Sequence, residues 1–161
     1  MSDFNAEHAT RTATIKLQGS PDEVFPLFGP VREAEWAAGW EITVLHNQSS
    51  LLDEEGAVFT THLHDDQPTI WIVTHYDRAA RRIGYARITP GSRATQVLIQ
   101  CEASENGTTL AQITYRVTGL SEAGNRIVLQ EFSEASYHQM MAHWEQAINH
   151  RLLTGETIPH H

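Results

Sequence analysis

Cysteine is all but missing from this chain. Of its 161 residues only Cys101 carries a thiol, so no internal disulfide can form, a usage that fits a reducing cytoplasm. Basic side chains are scarce too: 11 Lys and Arg stand against 20 Asp and Glu, for a net charge of -9. Phosphate binding needs a clustered cationic face and none is visible, which argues against a nucleic-acid partner and leaves acidic solubility as the simple meaning of the charge. No run of about 18 apolar residues occurs, so no integral membrane segment is expected, and the opening stretch lacks the apolar core of a signal peptide. A cytoplasmic location is the expectation. Repeats, low-complexity tracts and linkers are also missing. With 40% hydrophobic and 19% charged residues, the sequence predicts one domain over residues 1–161, ordered from about 10 to 155. The closing His160-His161 is left out of site reasoning.

What is present is organised around the last fifth of the chain. Leu129, Phe132, Met140, Trp144, Ile148 and Leu152 recur at multiples of three or four, with Ser136 in the gap, so Ser121 to Gly155 reads as one long helix with an apolar stripe. Ser121 is placed to cap its start, Glu122 suits the first turn, and His150, Arg151 and Gly155 mark the stop. At roughly 1.5 Å per residue such a helix outruns a domain of this size, which predicts a bend or a loose first turn around Gly124 and Asn125.

Upstream, Thr12 to Gln18 alternates as a half-buried strand. Ser20, Pro21 and Asp22-Glu23 then signal a short helix carrying Val24, Phe25, Leu27 and Phe28, and a second short helix spans Val31 to Trp36. Six further strands follow: Glu41 to His46, Ala57 to His64, Thr69 to Tyr76, Arg82 to Thr89, Ala94 to Ala103 and Thr109 to Thr118. Turn residues between them make neighbours antiparallel. Asn106-Gly107, as a two-residue type I′ turn, would set Ala103 opposite Leu110 and Cys101 opposite Gln112.

One helical stripe has to face one sheet. The pattern therefore predicts an α+β helix-grip fold: a seven-stranded curved antiparallel sheet around a long C-terminal helix, with two short helices between strands 1 and 2. A bent sheet diverges from the helix at its open end, and mixed residues on both faces of strands such as Val58 to His64 point to a partly polar interior pocket.

Three stretches carry a family likeness. They are Gly19-Ser20-Pro21-Asp22-Glu23-Val24-Phe25; Trp71-Ile72-Val73-Thr74-His75-Tyr76-Asp77 leading to Ile83-Gly84-Tyr85; and Gly119-Leu120-Ser121-Glu122-Ala123-Gly124. With the element order, they resemble the START-like superfamily, also known as the polyketide cyclase/dehydrase and lipid-transport (SRPBCC) superfamily. The resemblance covers nearly the whole chain and implies a hydrophobic or amphipathic small molecule held between sheet and helix. It carries over no catalytic residues, since the superfamily hosts carriers, cyclases, dehydratases and receptors.

Four tryptophans offer large apolar areas with one N–H donor each, which serves core packing and ligand lining alike. The expected ligand-binding residues are Trp36, Trp71, Tyr85, His138, Met140, Met141 and Trp144, the methionines adding an adaptable surface beside Trp144. Arg87 follows Tyr85 on the same strand face; turned inward, it would anchor a carboxylate or phenolate. Proton transfer would fall to His62, His75 or Arg87, with His138 and Glu102 as further titratable groups. His62 and His64 with Asp65-Asp66 and His75 have the residue types of a metal site. A four-residue loop would nevertheless set His62 opposite Trp71 and His75 opposite Val58, too far apart for shared ligation, so no metal is expected, and no cofactor. Cys101 reads as a small buried hydrophobe.

Three functions stay open: a binder or carrier of a small hydrophobic or aromatic molecule, a cyclase/dehydratase-type enzyme using the same cavity, and a protein-interaction module with a filled pocket and an exposed apolar patch. A homodimer is compatible with each.

Overall fold

The computed structural model describes residues 3–62 and 68–158. Seven antiparallel strands form one sheet in the order β1-β7-β6-β5-β4-β3-β2. They are β1 (His8–Leu17), β2 (Ile42–His46), β3 (Val58–Thr61), β4 (Thr69–Asp77), β5 (Arg82–Thr89), β6 (Arg93–Ala103) and β7 (Thr109–Gly119). Between β1 and β2 come helix α1 (Pro21–Val24) and two 3₁₀ turns, Phe25–Phe28 and Arg32–Glu35. Ser20 caps α1 in a full capping box with Glu23, as the Ser-Pro-Asp-Glu signal predicts.

The C-terminal helix departs from expectation. It is two helices, α2 (Glu122–Glu131) and α3 (Glu134–Thr154), and the break falls at Phe132-Ser133 rather than at Gly124-Asn125. Ser133 starts a new helix by accepting the Ser136 N–H at 3.2 Å, while Phe132 leaves helical geometry and stacks on Tyr115 with ring centres 5.7 Å apart. Leu129 loses the phase of the stripe at this break and is 59% exposed. Gly124 and Asn125 serve close approach instead of bending. A Cβ on Gly124 would collide with the Ser92 carbonyl, and one on Gly119 with the Asn125 side chain, so both glycines let α2 lie against the sheet.

Two registers also differ from the sequence reading. Asn106 and Gly107 do take positive φ, 56° and 73°, and close the Thr108 N–H onto Glu105 O at 3.1 Å. Ser104 N–H reaches Thr108 O as well, at 2.9 Å, so two residues of the β6 side oppose one of β7. That bulge shifts the ladder by one, and Ala103 faces Thr109 while Cys101 faces Ala111. On β3, Phe59 faces Trp71 and Val58 faces Ile72; the strand ends at Thr61, so the connection to β4 is longer than four residues. His64 and Asp65-Asp66 lie outside the described residues.

The two sheet edges are treated differently. Along β1, Glu145 and Asn149 of α3 accept the Lys16 and Gln18 N–H groups, each at 2.8 Å, and Asn149 donates back to Lys16 O at 3.1 Å. Asn125 of α2 does the same for Glu7 N–H at 2.8 Å and Asn5 O at 2.9 Å. This edge is closed to further strands. On β2, the opposite edge, Val44 and Leu45 are 43% and 61% exposed.

Candidate functional site

Period-two alternation and the observed registers set the inward side chains in rows across the sheet. Phe59, Trp71, Arg87, Thr95 and Val117 form one row, Val73, Tyr85, Val97 and Tyr115 the next, and Ile83, Ile99 and Ile113 a third. The third row is aliphatic and closed. The first two carry the aromatic and polar groups, and α3 and the Arg32–Glu35 turn cover them.

Rings dominate this end. Phe59 stacks on Trp71 at 5.6 Å, Trp71 meets Tyr85 edge-on at 5.6 Å, Trp36 meets Trp144 at 5.3 Å, and Tyr115 meets Trp144 at 6.2 Å. Most of their polar tips are tied down. Trp36 donates to Leu27 O at 2.7 Å, Tyr85 to Phe28 O at 2.7 Å, Trp71 to Thr61 Oγ1 at 2.9 Å and Tyr137 to Ile113 O at 2.6 Å. The interior is thus more apolar than the alternation of β3 suggests, because Ala57, Phe59 and Thr61 point in while Val58, Thr60 and His62 point out.

Five polar groups in this region have no hydrogen-bond partner among the described residues: the Arg87 guanidinium, the Glu33 carboxyl, the Thr95 hydroxyl, the Tyr115 hydroxyl and the Trp144 indole N–H. Thr95 Oγ1 is sealed in and unpaired on a residue 3% exposed. The polar atoms of the other four are not sealed off. Arg87 lies over the Trp71 ring at 5.0 Å and the Tyr115 ring at 5.3 Å. Ring faces hold the cation but accept none of the in-plane N–H groups of its fork.

The charges follow from this placement. Burial pushes the Glu33 carboxyl from 4.5 up to about 8, and the positive charge of Arg87 offsets only part of that. Glu33 nevertheless keeps partial surface exposure. Burial likewise raises the Tyr115 hydroxyl to about 12, and Tyr85 well above its ordinary 10. Around neutral pH the Glu33 carboxyl is therefore largely protonated.

The expected site residues fall into two groups. Trp36, Trp71, Tyr85 and Met141 are buried in this interior, Met140 and Trp144 are partly buried against it, and Arg87 points inward beside Trp71. His138 sits on the exposed side of α3 with Nδ1 2.8 Å from Glu134 O, because its position is off the inward helical face. His62 is exposed beyond the end of β3, and Glu102 is exposed on β6. His75 pairs with Gly84 past a bulge in β4, its Nδ1 3.7 Å from Glu55, and borders a depression of about 250 Å³ on the outer sheet face with Thr74, Gln96 and Arg116. A second depression, of about 230 Å³, lies by Phe25, Arg32, Asp53 and Tyr76. Neither is between sheet and α3. Among the described residues no group of three His, Cys, Asp or Glu could hold a metal ion.

Sequence reasoning passed over Glu33 and Thr95. The sequence marks Val31 to Trp36 only as a short helix; as a 3₁₀ turn of period three, Arg32–Glu35 puts Glu33 on the side of Trp36. Thr95 shares the inward alternation of Val97, Ile99 and Cys101.

No family model matches the chain, and no curated protein sequence matches it. Solved structures do. Norcoclaurine synthase from Thalictrum flavum, an SRPBCC-fold protein, superposes with a TM-score of 0.67 at 8% identity over 92% of this chain and 88% of that one. The same enzyme in complex with dopamine and hydroxybenzaldehyde gives 0.64 at 8% identity, over 92% and 88%. DynU16, a putative protein in the dynemicin biosynthetic locus, gives 0.60 at 16% identity, over 91% of this chain and 48% of that one. At these identities the likeness is one of fold, and with the curved seven-stranded sheet, the paired short helices and the C-terminal helix it shows that this chain has the START-like (SRPBCC) helix-grip fold.

Proposed function

We propose that the chain binds a small hydrophobic or aromatic molecule between the sheet and α3, with Trp71, Tyr85, Met140 and Trp144 as lining and Trp36 and Met141 as the packed floor behind them. The observation that carries this reading is the convergence of five polar groups without partners among the described residues, inside a shell of rings whose other polar tips are all tied down. Of the five only the Thr95 hydroxyl is sealed from water, where an unpaired group destabilises a fold by roughly 1–3 kcal/mol, and a ligand that meets it would offset that cost. The neighbour solved with dopamine and hydroxybenzaldehyde holds small aromatic molecules in the same fold. A cytoplasmic setting fits the lone buried thiol. Native mass spectrometry of protein from its own source should show a retained small molecule. Titration with the neutral dye N-phenyl-1-naphthylamine should show saturable uptake that Trp144→Ala weakens; absence of uptake, or uptake unchanged in that variant, would overturn the reading.

A cyclase/dehydratase-type reaction in the same interior is the second reading. Glu33 and Tyr115 favour it, since their charges influence one another there and proton transfer needs at least two converging titratable groups. Turnover of a bound polyketide-like chain, lost in Glu33→Gln with binding retained, is the result that would select it. Self-association is expected through β2. It is an uncapped edge without charged residues, and because Glu145, Asn149 and Asn125 close the other edge, pairing stops at two copies.

A further inference from the structure

Of everything in the interior, Arg87 is the group its surroundings leave least settled. Among the described residues its guanidinium touches two ring faces and pairs with no carboxylate, while Glu33 feels its charge without closing onto it. Ring faces hold a cation but leave the in-plane N–H donors of its fork without an acceptor. A cation and a carboxyl that face each other without pairing can both serve a third group brought between them.

We propose that the ligand is an aromatic acid, its flat body lying among Trp71, Tyr85 and Trp144 and its anionic group seated on the in-plane N–H donors of Arg87, with the Thr95 and Tyr115 hydroxyls beside it and the Glu33 carboxyl on the facing wall. This rests on the ligand-binding reading above and adds the charge of the ligand to it. Each member of the set has a distinct task. Arg87 supplies the charge and a fork of donors suited to a carboxylate or phenolate. Thr95 lies directly across from Arg87 in the β5–β6 ladder; its unpaired hydroxyl is sealed from water and would donate to the same anion once a ligand parts the side chains over it. Tyr115, under the guanidinium, is held as a neutral phenol by burial and can donate likewise.

Glu33 makes the site sensitive to pH. The charged and titratable groups acting on it and its neighbours are Arg87, Tyr85 and Tyr115 from the sheet, with Asp53 felt at Tyr85. Helix α3 contributes the uncharged Met140 and Trp144, and Arg32, Glu35 and Arg151 pair among themselves on the far side of the turn. While protonated, Glu33 donates a hydrogen bond toward the anion. Once ionised, it repels the anion and competes for Arg87, so acid binding weakens as pH rises through about 8.

The test is calorimetric titration of the full chain with two probes of one shape, 2-naphthoate and the neutral 2-naphthamide. Wild type should bind the naphthoate about tenfold or more tightly than the amide. Arg87→Gln should erase that preference, so that the two probes bind alike, while Arg87→Lys keeps part of it. Between about pH 6 and about pH 9 naphthoate binding should weaken severalfold in wild type and stay level in Glu33→Gln. Equal binding of the two probes by wild type, or a preference that survives Arg87→Gln, overturns the aromatic-acid assignment and leaves the ligand-binding reading standing. Failure of wild type to bind either probe overturns both. The wild-type comparison needs no variant to fold, and circular dichroism screens the variants.

Discussion

Replacing Glu33 by glutamine removes a carboxyl that burial holds near neutrality, and its effect on stability can be worked through in sign and size. The folded-state value lies at about 8 against an ordinary 4.5. The folded protein therefore holds this proton more tightly than the unfolded chain does, and the stability that proton confers is complete below the unfolded value. It is lost as pH rises through the folded one. At ~1.4 kcal/mol per unit the full difference would approach ~5 kcal/mol, but Glu33 keeps partial exposure, so solvent screening brings it to roughly 2–3 kcal/mol. Glutamine cannot ionise and carries no such loss. For a chain of this length, about 2–4 °C of Tm accompany each kcal/mol, so thermal unfolding followed by circular dichroism should show the variant gaining about 5–10 °C on wild type between about pH 5 and about pH 9. All other titrating groups are common to both proteins and cancel in the difference. A Tm difference that stays constant across that range would refute the burial of Glu33 and the electrostatics built on it.

Gly124→Ala should destabilise the protein by about 2 kcal/mol or more by chemical denaturation, against the gain of about 1 kcal/mol that alanine brings to an open helix, because its Cβ would collide with Ser92 O. A neutral or stabilising result would mean that α2 does not lie so close. Thr95→Val should leave stability unchanged or raise it by up to about 1 kcal/mol, since it removes an unpaired buried hydroxyl, yet weaken naphthoate binding in calorimetry. Unchanged binding would remove Thr95 from the site. Asn125→Ala should cost about 2 kcal/mol in denaturant titration and speed amide exchange at Glu7, as two backbone bonds on the β1 side lose their partner. Leu45→Lys should shift any dimer to monomer in sedimentation velocity without loss of Tm, since Leu45 is 61% exposed on the β2 edge.

Local signals in the sequence reached far into the fold. The Ser20 capping box, the alternation of β4 to β7 and the turn residues between them specify elements within a few residues of where they lie. Where the reading failed, an interaction distant in sequence or a change of helical period had intervened. Ser104 adds a bulge that no turn rule anticipates, and one residue of slip exchanges the faces of the strand. The helix break at Phe132 follows from that ring's stacking on Tyr115 across the fold, and a 3.6-residue stripe drawn through the break puts Leu129 inside when it is outside.

The site shows the same division. Arg87 and Tyr85 are legible as one face of one strand because alternation is a local property, and the ring-rich lining is legible from composition. Which side of that strand faces α3, and that Glu33 comes near Arg87 from a turn more than fifty residues earlier, is decided only when the sheet is assembled. Chain alone determines the elements and their periodicities, since these depend on neighbours a few bonds away. The protonation of Glu33 and the isolation of Arg87 depend on how much protein surrounds each charge, a quantity that exists only after folding.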